Sequence, residues 1–438
     1  MSDENTARHA ECTVEFDGVD ITSSIKPYLL SLTFTDNEED ASDDLQIKLQ
    51  DREGVWMTDW LQKMLDGDVS AASSDGYKVG DVVQFLGGPH YKASTDKKAN
   101  GTPKDGPAKI TIIKQGALHP YHVIHTDGTS RVYGWVDASE ISGKSGGSSS
   151  GSSEGGLKIR ATITACNWHS DGKDEALDCG EFELDSINAS GPPDIITIKA
   201  TGLPYTSQIR QTKQSKGWEK YKLSGIANEM AKKNGMKSQF LAKKDPEYKR
   251  VEQYRCSDID FLSQLCHDAG LSLKCTDGKL VIFDQKEYEG KDSAWTVTKD
   301  DKSYIKWSHT LGQAGTQYAS CRVSYVGPNG KPIEGIAYVK DYDAKSKTNQ
   351  QLEVYAPVTS KTEAKELAAK KLRLHNKFER QVGFTYHGDP GKVAGLTFET
   401  KSFGPWDGKY IVKQAKHTVT GSGGYTTQVS GRHVLGGY

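Results

Sequence analysis

Three groups of side chains in this 438-residue chain have types and spacings that could do chemistry. Cys266 and His267 are neighbours, as a thiol nucleophile and its base would be. They sit in a stretch of helical period, where adjacent side chains point in different directions, so the pair cannot assemble. His119, His122 and His125 are the best metal candidates. If Tyr121–His125 is a strand, however, His122 and His125 face opposite sides, and scattered polar residues are the better reading. The third group is acidic: Asp36, Glu38, Glu39, Asp40, Asp43 and Asp44 crowd residues 36–44. The run lacks the DxDxDG order of a calcium loop, so it reads as a solvated hairpin tip or a charged contact on a partner.

Other reactive patterns are missing. There is no HExxH, P-loop, Rossmann glycine fingerprint or GxSxG elbow. The seven cysteines (Cys12, Cys166, Cys179, Cys256, Cys266, Cys275, Cys321) are odd in number and include no CxxC, which disfavours a disulfide framework or a zinc knuckle. They read as small apolar residues in strands and helices. No enzyme activity, cofactor or metal is expected. The net charge of −2 gives no footprint for specific nucleic acid. No segment approaches the roughly 18–20 apolar residues that span a bilayer. The polar amino terminus, MSDENTARHAE, lacks a signal-peptide core, which points to assembly in a cytoplasm.

The elements that must position these groups are mostly strands. At about 100–200 residues per domain, the length allows about three. Asp17 and Gly18 mark a hairpin turn within 14–21. Leu30, Leu32 and Phe34 alternate before the acidic run, and Leu45, Ile47 and Leu49 alternate after it. From about 77 the chain changes to short runs between Gly, Pro and Asp, the pattern of a small barrel. A Gly/Ser tract follows at 143–156 and behaves as a flexible coil. Alternation then resumes at Ile159, Ala161, Ile163 and Ala165. The economical reading is an insertion, 77–142 with its linker 143–156, splitting one β-barrel into 1–76 and 157–204. A middle α+β domain occupies 205–290, with one helix carrying Leu223, Ile226, Ala227 and Met230. Its second helix starts at Ser257, an N-cap with Asp260 three residues on, and ends at Gly270. A hairpin then turns at Asp277-Gly278. A second β-barrel, 291–438, contains one helix at 360–374.

Within 251–283, Gln253, then Ser257-Asp258, Phe261-Leu262, Leu265 and Gly270 precede a hairpin in that order. This string resembles the hub segment shared by phage late control gene D proteins, contractile-tail baseplate hubs and the type VI secretion spike. Asn167-Trp168, the 175–186 segment and the carboxy-terminal run through Gly395, Trp406, Gly408, His417 and Tyr425 also resemble that family. The segment ending at Gly134, Trp135 and Val136 resembles bacterial Src-homology-3-like domains. Small barrels of that type bind peptides through aromatic grooves, which makes Tyr91, Tyr121, Tyr133 and Trp135 a candidate groove, with packing as the competing reading.

The resemblance implies a mainly β protein with two tube-like antiparallel β-barrels, a helix-containing middle domain and an inserted small barrel. It implies a structural baseplate hub, a homotrimer joining a six-fold tail tube to a three-fold central spike at the tail tip of a virion or tail-like particle. Tube protein, spike, other baseplate proteins and the tape measure are then the partners. Two alternatives stay open: a peptidoglycan contact through the inserted barrel, or a tail-associated peptidoglycan hydrolase.

Overall fold

The computed structural model describes residues 8–39, 41–60, 82–102, 104–114, 117–126, 133–137, 140–144, 157–168, 172–203, 208–312, 318–327, 330–340, 342–347 and 349–435. Most of the Gly/Ser tract lies outside these residues. The protein is mainly β, and its sheets are largely antiparallel.

The first strands are β1 (His9–Phe16), β2 (Val19–Asp20), β3 (Leu29–Asn37) and β4 (Asp44–Gln50). Asp17 and Gly18 both take left-handed φ (+47° and +79°), the turn that matches strand twist, and return β1 into β2. Next come β5 (Val82–Phe85), β6 (Gly106–Ile113), β7 (Tyr121–His125), β8 (Tyr133–Val136) and β9 (Ile141–Lys144). Among the described residues these five pair only with one another, in the order β8-β7-β6-β5-β9, around Val83, Phe85, Ile110, Val123 and Val136. Then β10 (Lys158–Cys166), β11 (Glu175–Ser190) and β12 (Ile195–Thr201) rejoin the first set, β1 against β10 and β4 against β12. The alternating residues Leu45, Ile47, Leu49, Ile159, Ala161 and Ile163 all point into one core.

The middle segment holds β13 (Gln214–Lys222), helix α1 (Leu223–Lys233), β14 (Lys237–Phe240), β15 (Glu247–Cys256), helix α2 (Asp258–Asp268), β16 (Ser272–Thr276) and β17 (Lys279–Phe283). The α2 caps form as their residue types dictate. The Ser257 hydroxyl accepts from the Asp260 amide at 3.2 Å. At the other end Gly270 takes φ +67°, and the Leu271 and Gly270 amides bond back to the Cys266 and His267 carbonyls. Leu262, Leu265 and Cys266 of α2 pack with Leu223, Ile226 and Met230 of α1 and with Leu273, Leu280 and Ile282 of the hairpin.

The remaining strands are β18 (Trp295–Thr298), β19 (Tyr304–Leu311), β20 (Ser320–Val326), β21 (Pro332–Tyr338), β22 (Gln351–Tyr355), β23 (Arg380–His387), β24 (Thr397–Lys401), β25 (Gly408–Thr420) and β26 (Tyr425–His433). Helix α3 (Lys361–Asn376) begins at Ser360, whose hydroxyl accepts from the Glu363 amide at 3.1 Å. Strands β20–β22 pair in a sheet of their own, and α3 lies on it through Ala364, Ala368 and Leu372. Gly335 permits that approach, since a Cβ there would lie 2.3 Å from the Lys365 amide nitrogen.

Strands β13 and β15 form a two-stranded sheet, β14, β17 and β16 a three-stranded one, and the strands not yet placed form one 13-stranded sheet. It consists of two six-stranded halves, β3-β4-β12-β11-β10-β1 (with β2 appended) and β18-β24-β25-β26-β23-β19. The halves meet at β25. One edge of this 13-residue strand follows β26. Its other edge is divided: Gly408–Ile411 pair with β24, and 414–420 pair with β3. A register shift at 412–414 separates the two. The β25–β26 hairpin therefore reaches into two cores, with Tyr410, Val412, Ala415 and Val429 in the second and Val419 and Tyr425 in the first.

At the tip of this hairpin, Gly421 donates its amide to the Leu30 carbonyl. A Cβ on Gly421 would lie 1.8 Å from the Leu29 carbonyl oxygen, a backbone atom that cannot rotate away. Gly421→Ala is expected to cost about 1–3 kcal/mol, the usual range for overpacking, read from the urea midpoint. Gly217→Ala is the matched control, since a Cβ there meets nothing within 4 Å and the backbone is not left-handed.

Candidate functional site

Four acids of the run, Asp36, Glu38, Glu39 and Asp43, are not on a solvated tip. They turn inward and meet cations from three other parts of the chain. Asp44 is exposed, and Asp40 lies outside the described residues. Glu38, just past β3, accepts from Nη2 and Nε of Arg432 on β26 at 2.6 and 2.8 Å, a two-pronged carboxylate–guanidinium contact. Glu289 takes the remaining Arg432 prong at 2.5 Å and lies 3.0 Å from Arg373 of α3. Glu39 pairs with Lys377, just beyond α3, and accepts the Ser272 hydroxyl of β16 at 2.6 Å. Lys274 of β16 bonds Asp36 at 2.6 Å and lies 3.5 Å from Asp43. Asp36 also accepts the Ala394 amide, and Asp43 accepts the Asn37 amide. One loop thus ties both halves of the sheet to the middle segment and α3.

Burial dominates the electrostatics. Arg432 is fully buried. Burial pushes the Glu38 carboxyl up while Arg432 pulls it down. With a guanidinium that keeps its proton and a two-pronged contact, the ionised pair prevails. Burial pushes Asp43 up to about 6, with Lys274 opposing. Lys274 itself is raised, because Asp36 and Asp43 outweigh its desolvation.

His417 of β25 sits in the same seam, opposite Phe34 of β3. Its Nδ1 lies 2.7 Å from the Tyr425 hydroxyl and its Nε2 3.2 Å from the Lys392 carbonyl. A carbonyl can only accept, so Nε2 carries the proton and Nδ1 accepts from Tyr425: the ring is neutral. Burial lowers it to about 4, with Asp36 and Asp389 opposing. Burial likewise takes His433 to about 4, with Arg380 adding and Glu289 opposing.

Cys266 is buried and His267 exposed, so they point apart. Both ring nitrogens of His119 are engaged, by Asp137 at 2.6 Å and the Asp96 carbonyl at 2.8 Å. His122 lies by Thr111 and Trp135, whereas His125 packs edge-on against Phe85 in the core. Of the four aromatics, Tyr91 and Trp135 come together through a backbone pair, with Tyr91 stacked on His119. Tyr121 is in the core on the other side of the sheet, and the Tyr133 side chain is outside the described residues. Arg432, Glu289, Lys274 and Lys377 escaped the sequence reading. The one available signal was six acids in nine residues, which demand cations but do not say which.

No family model matches the sequence, and no curated protein matches it either. Solved structures do match. The tail protein of Neisseria meningitidis MC58 superposes with a TM-score of 0.55 at 8% identity, over 97% of each chain. The 43 kDa tail protein of prophage MuSo2 from Shewanella oneidensis gives 0.53 at 12% identity, over 96% of this chain and 97% of that one. The E. coli c3393 protein, a component of the type VI secretion system, gives 0.43 at 8% identity, over 97% of this chain and 78% of that one.

Two measurements probe the seam. Arg432→Met strands Glu38 and Glu289 as buried charges and is expected to cost about 3–5 kcal/mol in urea unfolding, with much of it regained when Glu38→Gln and Glu289→Gln are added. For pH, a buried imidazole with a lowered pKa contributes stability that is whole above about 6.5 and lost as pH falls toward 4, at up to about 1.4 kcal/mol per pH unit. The raised Asp43 has the opposite sign below about 6. Unfolding midpoints should therefore drop between pH 7 and 6, and His417→Gln should flatten that drop. Across nearly its whole length, the chain has the fold of these tail proteins.

Proposed function

We propose that this chain is a structural baseplate hub of a phage or phage-tail-like contractile injection particle, joining a six-fold tail tube to a three-fold central spike. One observation carries the reading: two six-stranded halves lie edge to edge in a single sheet. Three copies of such a chain offer six similar halves, which is the count needed to meet a six-fold ring while keeping three-fold symmetry. The fold likeness to the two tail proteins supports it. In this reading 77–142 is an inserted Src-homology-3-like barrel. The partners are two further copies, the tube protein, the spike and neighbouring baseplate proteins, and the work is mechanical rather than chemical.

The outer strand β19 is the proposed contact between copies. It ends the sheet and leaves Ile305, Trp307 and Leu311 exposed. An unpaired edge with apolar side chains is a ready template for another chain. Native mass measurement should give three times the 48.0 kDa chain mass, and a map of the particle should place the chain between tube and spike. Ile305→Lys with Trp307→Lys should shift the mass toward the single chain. A wild-type chain that stays monomeric and is absent from the tail tip would sink the proposal.

A further inference from the structure

The outer face of the first half carries a cluster outside every group discussed so far. His9 of β1 and Cys166 of β10 are directly opposed across the antiparallel pair. Glu11 is two residues along β1, so its side chain emerges on the same face as His9. The core residues Ala10 and Val14 alternate with them and point inward. One imidazole nitrogen, one carboxylate oxygen and one thiol sulfur consequently converge, all within 4.8 Å of one another. His9 Nε2 is 3.9 Å from Glu11 Oε1.

We infer that His9, Glu11 and Cys166 form a three-ligand site for a borderline transition metal, with Zn²⁺ the best fit. Mixed nitrogen, sulfur and oxygen donors suit zinc, whereas Mg²⁺ and Ca²⁺ want several hard oxygens. Three protein ligands leave a fourth tetrahedral position open to water or to a donor from a neighbour. The strand pair fixes the Cα positions of all three ligands, so closing onto the metal needs only side-chain rotation. Burial, then Asp174 and Glu11, raise the Cys166 thiol. A divalent cation reverses that field and releases the thiol proton to solvent on binding. Among the competing contacts, Lys26 donates to Glu11 at 3.1 Å but is itself largely exposed and can swing away, and the Cys166 thiol donates weakly to the Thr164 carbonyl at 3.8 Å. Bound metal would staple β1, the strand nearest the amino terminus, to β10.

No local spacing marks this site, because Cys166 lies 157 residues from His9 and the three donors form no CxxC or HxxH pattern. The test uses tag-free, full-length protein stripped of metal and titrated with Co²⁺, then with Zn²⁺ in competition. Binding should produce a cobalt–thiolate charge-transfer band that zinc displaces, and zinc should raise the melting temperature. Cys166→Ser and His9→Ala should each weaken binding by more than roughly 100-fold, beyond the range seen for outer-shell partners alone. Circular dichroism would confirm that both variants fold. Cys12→Ser should keep the band, since Cys12 packs toward the core. No band, or one that survives Cys166→Ser, overturns the inference.

Discussion

Arg432 cannot shed its charge, and it is fully buried; the rest of the architecture has to answer that. Taking an ion out of water costs several kcal/mol unless its partners are well placed. Here the partners come from distant sequence: Glu38 from the loop after β3 and Glu289 from the end of the middle segment. Bringing them together requires β3 to lie against β25, and the middle segment to close over the junction. The same acidic loop engages Lys274 and Lys377, so α3 and the β16–β17 hairpin are drawn to one point.

Sheet continuity follows from one strand being too long for its own half. At 13 residues, β25 outruns β24, which covers only its first four. The next positions would expose unpaired backbone groups if β3 did not take them. Because Val419 and Tyr425 belong to the first core while Tyr410 and Val429 belong to the second, the halves share side-chain packing as well as backbone bonds. Loosening one half removes core from the other. Neither half can open without strain on its neighbour.

Local signals made the middle of the chain legible. Ser257, Gly270 and the Asp277-Gly278 turn each specify backbone geometry within a few residues, and the caps and turn form as their types dictate. The alternation at Leu45, Ile47 and Leu49 revealed a buried face. Alternation specifies a face, however, and never which strand lies along an edge, so the division of β25 between β24 and β3 was hidden. The acidic run misled for a related reason. A run of like charge normally stays in water, and the cations that hold this one are more than 230 residues away. The aromatics show the same limit: Tyr121 and Trp135 lie on opposite faces, which composition cannot tell apart.

The two additions to the sheet sit differently with respect to this junction. Strands β5–β9 enter between β4 and β10, and β20–β22 with α3 enter between β19 and β23; each pairs its strands only with itself among the described residues. Neither interrupts the ladder: β19 and β23 pair directly across the second insert, and β4 and β10, which do not pair with each other, keep β12 and β1 as neighbours on either side of the first. Yet α3 runs directly into Lys377 and carries Arg373, so it is bound into the buried ionic cluster. Replacing that second unit would strand Glu39 and leave Glu289 short of a partner. The first unit supplies none of the cluster's residues, and it ends in a Gly/Ser tract whose length costs little in chain entropy. Sequence variation therefore has its least costly place in β5–β9, whereas α3 is part of the buried ionic junction.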